Sequence, residues 1–266
     1  MNTAINLHLF APANIILFLL VSIRFAGLMS SAQFIKAMPV PMLIRAGFPF
    51  ACSLLIFSFL SFSVDAETLT MWTVAWMGIQ EFIIGAIMGL SVNMMTDTVQ
   101  FAGHLVSTQM GLETTEMVDP TSQNPTPITG RFYNLLGMLL FFTMGMHRII
   151  IAALAKTFDW LPPGQGFSAL PNFTQHIAER MMFSSSNMFS QALSLALPIF
   201  GALLVLEIAI ALISRTVPQM NIFMIAMPLK VIVGFGLIFI TLPSLGHNIV
   251  ISFSHFSEQI PLLLKP

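Results

Sequence analysis

Two acids, Glu81 and Glu207, stand in long apolar stretches, where an unpaired carboxylate is expensive to keep. Such groups point to one of two chemistries. They either relay protons or bind ions along a path, or they pair with a base such as Arg24 or Lys230 and serve structure. Isolated acids do not make a relay, so structural pairing is the stronger reading. Histidines offer no metal site: His8, His104, His147, His176, His247 and His255 never fall at the i, i+3 or i, i+4 spacing that puts two imidazoles on one helical face. No glycine-rich phosphate loop, GxSxG elbow or HExxH motif occurs, so neither cofactor chemistry nor an enzyme's nucleophile and base at workable spacing is expected. A different feature is QMGLETTEMVDPTSQNPTP, from Gln109 to Pro127. Pro120, Pro125 and Pro127 each remove a backbone donor and restrict the preceding residue, so this segment is not a helix.

The elements around these residues follow from composition. Of 266 residues, 56% are hydrophobic and only 8% charged, and mean hydropathy is +0.87. That is the composition of an all-α integral membrane protein. A formal charge of -1 leaves no basic face, which excludes nucleic-acid binding by counterion release. The one cysteine, Cys52, is a packing residue that supports neither a disulfide framework nor a thiolate metal site. The N-terminus lacks the positive region and cleavage site of a signal peptide, so the first apolar segment is expected to be retained.

A helical span needs about 20 apolar residues. Six runs meet or approach that length: Phe10 to Ile35, Ala46 to Val64, Leu69 to Met95, Phe132 to Ala155, Met181 to Ile213 and Val217 to Leu242. The third continues in roughly helical spacing through Val99, Ala102, Leu105, Val106 and Met110, which predicts one helix from about Leu69 to Gln109. At 1.5 Å per residue it would be on the order of 60 Å long, twice the hydrocarbon thickness. Gly85 and Gly89 within it match GxxxG, read here as close packing and not as a dimer motif. The sixth run is expected to break near Pro228. Basic residues in the connectors favour an external N-terminus, which places the proline-rich segment on the inner side or within the membrane. No internal repeat or linker divides the chain, so a single domain over 1–266 is expected.

Irregular backbone at membrane depth is tolerated only where protein encloses it or it lines a cavity. Gly111 permits conformations closed to other residues, while Met110, Leu112 and Met117 offer soft apolar contacts at the segment's ends. Such contacts would seal a pore; the plainer reading is core packing. A secondary transporter, with Glu81, Glu207 and a broken sixth helix forming a midplane site, is the alternative function class.

Two separated motifs carry a resemblance. GHLVSTQMGLETTEMVDP followed by PTPITGR, and Arg215-Thr216-Val217-Pro218-Gln219-Met220-Asn221-Ile222-Phe223 continuing to Pro228, Lys230 and Gly234, resemble the FliR family of the flagellar type III export apparatus and its injectisome relatives. The similarity runs over essentially the whole chain. It implies a FliP-like portion followed by a FliQ-like helical hairpin, in a subunit that joins FliP and FliQ in a gate for unfolded flagellar proteins and also contacts FlhB. It implies the bacterial inner membrane and flagellar basal body as the location. The family's loop plugs the closed pore, and the matching positions are Gln109, Met110, Gly111 and Leu112 with Asp119 and Pro120. Glu113 and Glu116 add two acids to that loop. The second motif, with Arg215, Pro218, Gln219, Phe223 and Lys230, is expected to serve assembly.

Overall fold

The computed structural model describes residues 12–32, 41–57, 70–112, 127–164, 173–216 and 222–262, and helix covers most of the described part of each of the six apolar runs. Among the described residues seven helices follow in order: α1 (Pro12–Ser31), α2 (Met42–Phe57), α3 (Met71–Met110), α4 (Ile128–Thr143), α5 (Met146–Trp160), α6 (Phe173–Thr216) and α7 (Ile222–Leu262). There is no strand among the described residues, and the protein is all-α. Among the described residues four helices are long and apolar enough to cross a membrane, or up to five with the bent α4–α5 pair taken as one span.

The 40 residues of α3 form one helix, as the spacing predicts. Its inward face is Glu81, Ile84, Met88, Val92, Met95, Val99, Ala102, Val106 and Met110, all fully buried. The steps of three and four residues keep one face turned inward over the whole helix, which is why the period is legible without any neighbour.

Two departures have physical causes. The run from Phe132 to Ala155 is two helices, because Gly145 adopts φ 68 and ends the first one. Left-handed backbone of this kind is inexpensive for glycine alone, and hydropathy does not register it. The expected break near Pro228 does not occur, since α7 is helical through that residue to Leu262. Proline there removes one backbone hydrogen bond, but an apolar environment gives the remaining backbone groups no other partners, so the helix persists.

The residues group into two compact units, each threaded by several of the long helices. The first comprises Met1–Asn93, His147–Ser184 and Ser257–Pro266. Here α1 crosses the start of α3 at backbone contact distance. A Cβ placed on Gly27 would lie 2.3 Å from the Phe82 carbonyl oxygen, and one on Gly85 would lie 2.0 Å from that of Arg24. Gly89 meets Ser31 in the same way. Both glycines of the GxxxG match therefore serve packing inside the chain, where small residues let helix backbones approach. On its other side α1 meets α2 through the Ser22 and Ser53 hydroxyls, 2.8 Å apart, and an edge-on contact of Phe18 with Phe57.

The second unit comprises Met94–Met146 and Ser185–Phe256. Gly103 of α3 accepts the Tyr133 side chain of α4, and Gly137 of α4 accepts Val99. Phe101 stacks edge-on against Phe189 of α6, and Phe141 against Phe253 of α7. The most apolar parts of α6 and α7 are only 17% and 11% buried within the chain. Apolar surface of that extent marks a face for lipid or for other proteins.

Candidate functional site

In the first unit the candidate residues form a closed charge cluster. Arg24 lies on the inward face of α1 between Leu20, Val21 and Leu28, where an unpaired guanidinium would be prohibitive. Its Nε donates to Glu81 Oε2, and both side chains are fully buried. Nη1 donates to Thr157 Oγ1 at 3.0 Å and Nη2 to the Leu161 carbonyl at 2.9 Å. The guanidinium also lies over the Phe158 ring, 4.2 Å from its centre, in cation–π contact. Glu81 Oε1 accepts the Gly164 backbone N–H at 3.2 Å. Gly164 holds φ 89, a turn that glycine adopts without strain. Each charged atom group is thus answered by a partner, as a buried pair requires. The arrangement ties α1, α3, the end of α5 and the following turn together, and its chemistry is that of a pin between helices.

In the second unit the candidates gather where α3 ends. Gly111 takes φ 77, and its N–H bonds to the Thr108 carbonyl at 3.0 Å in a tightened last turn. Met110, one residue earlier, is fully buried. Its side chain occupies a notch over Gly234 of α7, where an added Cβ would lie 2.7–2.8 Å from Met110 Cε, Cγ and Sδ. Met110 is therefore an anchor within its own chain and not a contact facing outward. The reason is register, because Met110 is the last member of the inward face of α3. Leu112 is part-exposed. Gln109 Nε2 donates to Glu207 Oε2 at 2.9 Å, and Lys230 Nζ donates to Glu207 Oε1 at 2.9 Å.

Glu207 differs from the buried acid its surroundings in the sequence suggest, because 54% of its side chain is exposed. Hydropathy detects apolar neighbours along α6, but the tertiary structure turns that face outward. The pairing with Lys230, 23 residues further along the chain on α7, is one that the sequence offers. So is Arg24 with Glu81. Thr157, Phe158, Leu161 and Gly164 carry no such signal, since a hydroxyl, a ring and two backbone groups become partners only through the fold.

Arg215 is exposed in the last turn of α6, where a cation complements the helix dipole. Phe223 lies in the first turn of α7, with its side chain outside the described residues. Met117, Asp119, Pro120, Pro218 and Gln219 lie outside the described residues, as do Glu113 and Glu116.

A chain built of long apolar helices, with a buried ionic pin and an anchored end to α3, is an integral membrane protein whose polar residues hold its own helices in place. It belongs to the bacterial export proteins, family 1, which match it over residues 15–256. Among similar proteins, the flagellar biosynthetic protein FliR of Bacillus subtilis (strain 168) is 28% identical over 240 residues, 88% of this chain and 86% of that protein. FliR of Pectobacterium carotovorum subsp. carotovorum is 30% identical, covering 91% of this chain and 88% of its own. FliR of Escherichia coli (strain K12) is also 30% identical, over 83% and 82% respectively. The chain is thus a member of a flagellar biosynthesis and export family of membrane proteins.

Proposed function

We propose that this chain is a structural channel subunit of the flagellar type III protein export gate in the bacterial inner membrane, within the basal body. With FliP and FliQ it forms the pore for unfolded flagellar proteins, it contacts FlhB, and residues 109–127 plug the closed pore. It acts without chemical catalysis. The observation that carries this reading is the junction at the end of α3. A 40-residue helix stops at a left-handed glycine, and the two residues before that glycine are held by α6 and α7. Such a junction fixes the point from which the plug segment leaves α3, which suits a plug. The open apolar faces of α6 and α7 are what a subunit needs to pack against other small membrane chains.

A gate for unfolded chains must pass any sequence, so soft apolar and backbone contacts suit it better than a pocket for one side chain. Deleting residues 113–117 is expected to make resting membranes conduct ions while the complex still assembles. Leu112→Ser should have the same effect in smaller degree. Electrical recording on membranes with verified assembly checks this, and unchanged conductance in the assembled deletion variant counts against a plug. For the second motif, Arg215→Ala is expected to lower recovery of the complex when FliP and FliQ are co-expressed. Normal recovery with normal export would remove Arg215 from the assembly surface. The transporter alternative needs a broken sixth helix and a free acid, and it loses ground because α7 is unbroken at Pro228 and Glu81 is fully engaged.

A further inference from the structure

Of the two acids on α3, Glu81 is answered by Arg24, whereas Asp97 has no hydrogen-bond or ion-pair partner among the described residues. Asp97 lies just over half a helical turn from both Met95 and Val99 of the inward face, so it points outward. Its neighbours one turn away along the helix are Met94 and Phe101. Both meet α6: Ser185 Oγ donates to Met94 Sδ at 4.0 Å, and Phe101 stacks edge-on against Phe189 with ring centres 5.4 Å apart. Asp97 is therefore part-exposed at the rim of the α3–α6 contact, between two apolar side chains.

No cation of the second unit answers it. Residues 94–146 and 185–256 hold three Lys or Arg in all, Arg131, Arg215 and Lys230. Lys230 is paired with Glu207, while Arg131 and Arg215 are exposed and form no ion pair among the described residues. A carboxylate beside apolar side chains on the outward face of a membrane helix is unfavourable unless a partner neutralises it. Glu81 shows how the chain meets that need when both partners are its own. A metal ion would need several ligands where Asp97 offers one, and no group of three ligating side chains occurs among the described residues.

We propose that Asp97 receives a lysine or arginine of a neighbouring membrane chain, which packs on the outward face of α3 beside α6. This docking point rests on the reading of the chain as an export-gate subunit. A basic side chain supplies a counter-charge and several N–H donors at once, which a lipid tail cannot do and a hydroxyl does only in part. Met94 and Phe101 keep water from the flanks of such a pair, and the ionic attraction grows once the partner covers the outer side. In the isolated chain Asp97 is unfavourable, because its charge is partly desolvated there without a counter-charge. A residue kept for a partner thus weakens the chain alone and strengthens the assembly, opposite to a residue that holds the fold.

The full-length chain is measured alone in detergent and co-expressed with FliP and FliQ, with the recovered complex scaled to the chain present in membranes. Alone, Asp97→Asn and Asp97→Leu are expected to melt at the parent temperature or higher. Both should lower recovery of the complex about tenfold or more, since removing one member of a covered charge pair leaves the other unpaired. Asp97→Lys should lower it further by setting like charges together, and Asp97→Glu should retain most of it. A drop in the melting temperature of isolated Asp97→Asn that matches its lower recovery overturns the docking point and makes Asp97 a residue of the fold. A parent chain that does not assemble with FliP and FliQ removes the export-gate reading and the docking point together. Parent, Asp97→Asn and Asp97→Leu assembling alike removes the docking point alone.

Discussion

Glu81→Ala is expected to remove most of the folded chain from the membrane, by stranding Arg24 in the interior of the first unit. Breaking one side of a buried ion pair costs about 3–5 kcal/mol. That is a large share of the roughly 5–15 kcal/mol that separates folded from unfolded domains. The penalty comes mainly from the guanidinium left behind, which would keep Thr157 and the Leu161 carbonyl but lose its counter-charge. Replacing both partners, Arg24→Met with Glu81→Leu, should recover much of the loss, because a neutral apolar pair of similar volume needs no compensation. Thermal unfolding of the detergent-solubilised chain, with its level in membranes, checks the series. A stable Glu81→Ala protein that has lost only its export activity would instead return Glu81 to a role on a proton or ion path.

The second large effect is expected at Gly85. Replacement by valine puts atoms where the Arg24 carbonyl oxygen lies 2.0 Å from an added Cβ and the Leu28 backbone nitrogen 2.9 Å. These are backbone atoms, so no rotamer change relieves the clash and α1 must move off α3. The cost should reach or pass the upper end of the roughly 1–3 kcal/mol typical of overpacked cores. Arg24 is on the same face of α1, so the displacement also draws it from Glu81. Gly201→Ala is the contrast, because nothing lies within 4 Å of its added Cβ, and alanine is the better helix former. In the purified chain Gly85→Val should unfold at a markedly lower temperature and Gly201→Ala at an unchanged or higher one. Equal melting temperatures for the two would show that the α1–α3 crossing is not held at backbone contact.

These two positions also measure what a reader of the sequence can see. Glu81 announces itself as an acid in an apolar run, and Arg24 is among its few available partners. The turn at Gly164 and the ring of Phe158 are invisible beside them, since glycine and phenylalanine are common throughout the chain. Gly85 and Gly89 are legible as a packing surface, but their partner is not. Met110 is legible as the end of a helical period, and the same period makes it an anchor where its place beside a loop suggests an outward seal.

By itself, the sequence determined that this is an all-α membrane protein, where its apolar runs fall, and that the third run continues as one helix to about Gln109, with a proline-rich stretch after it that is not expected to continue the helix. These properties depend on composition, on a period of three to four residues and on proline and glycine chemistry, all local along the chain. Only the tertiary structure decided which face of α6 turns outward, that Gly145 divides the fourth run, that α7 continues through Pro228, and that Gln109, Glu207 and Lys230 meet. Those depend on which surfaces lie opposite one another, and the energy of an ion pair, a notch or a hydrogen bond exists only when both sides are in place.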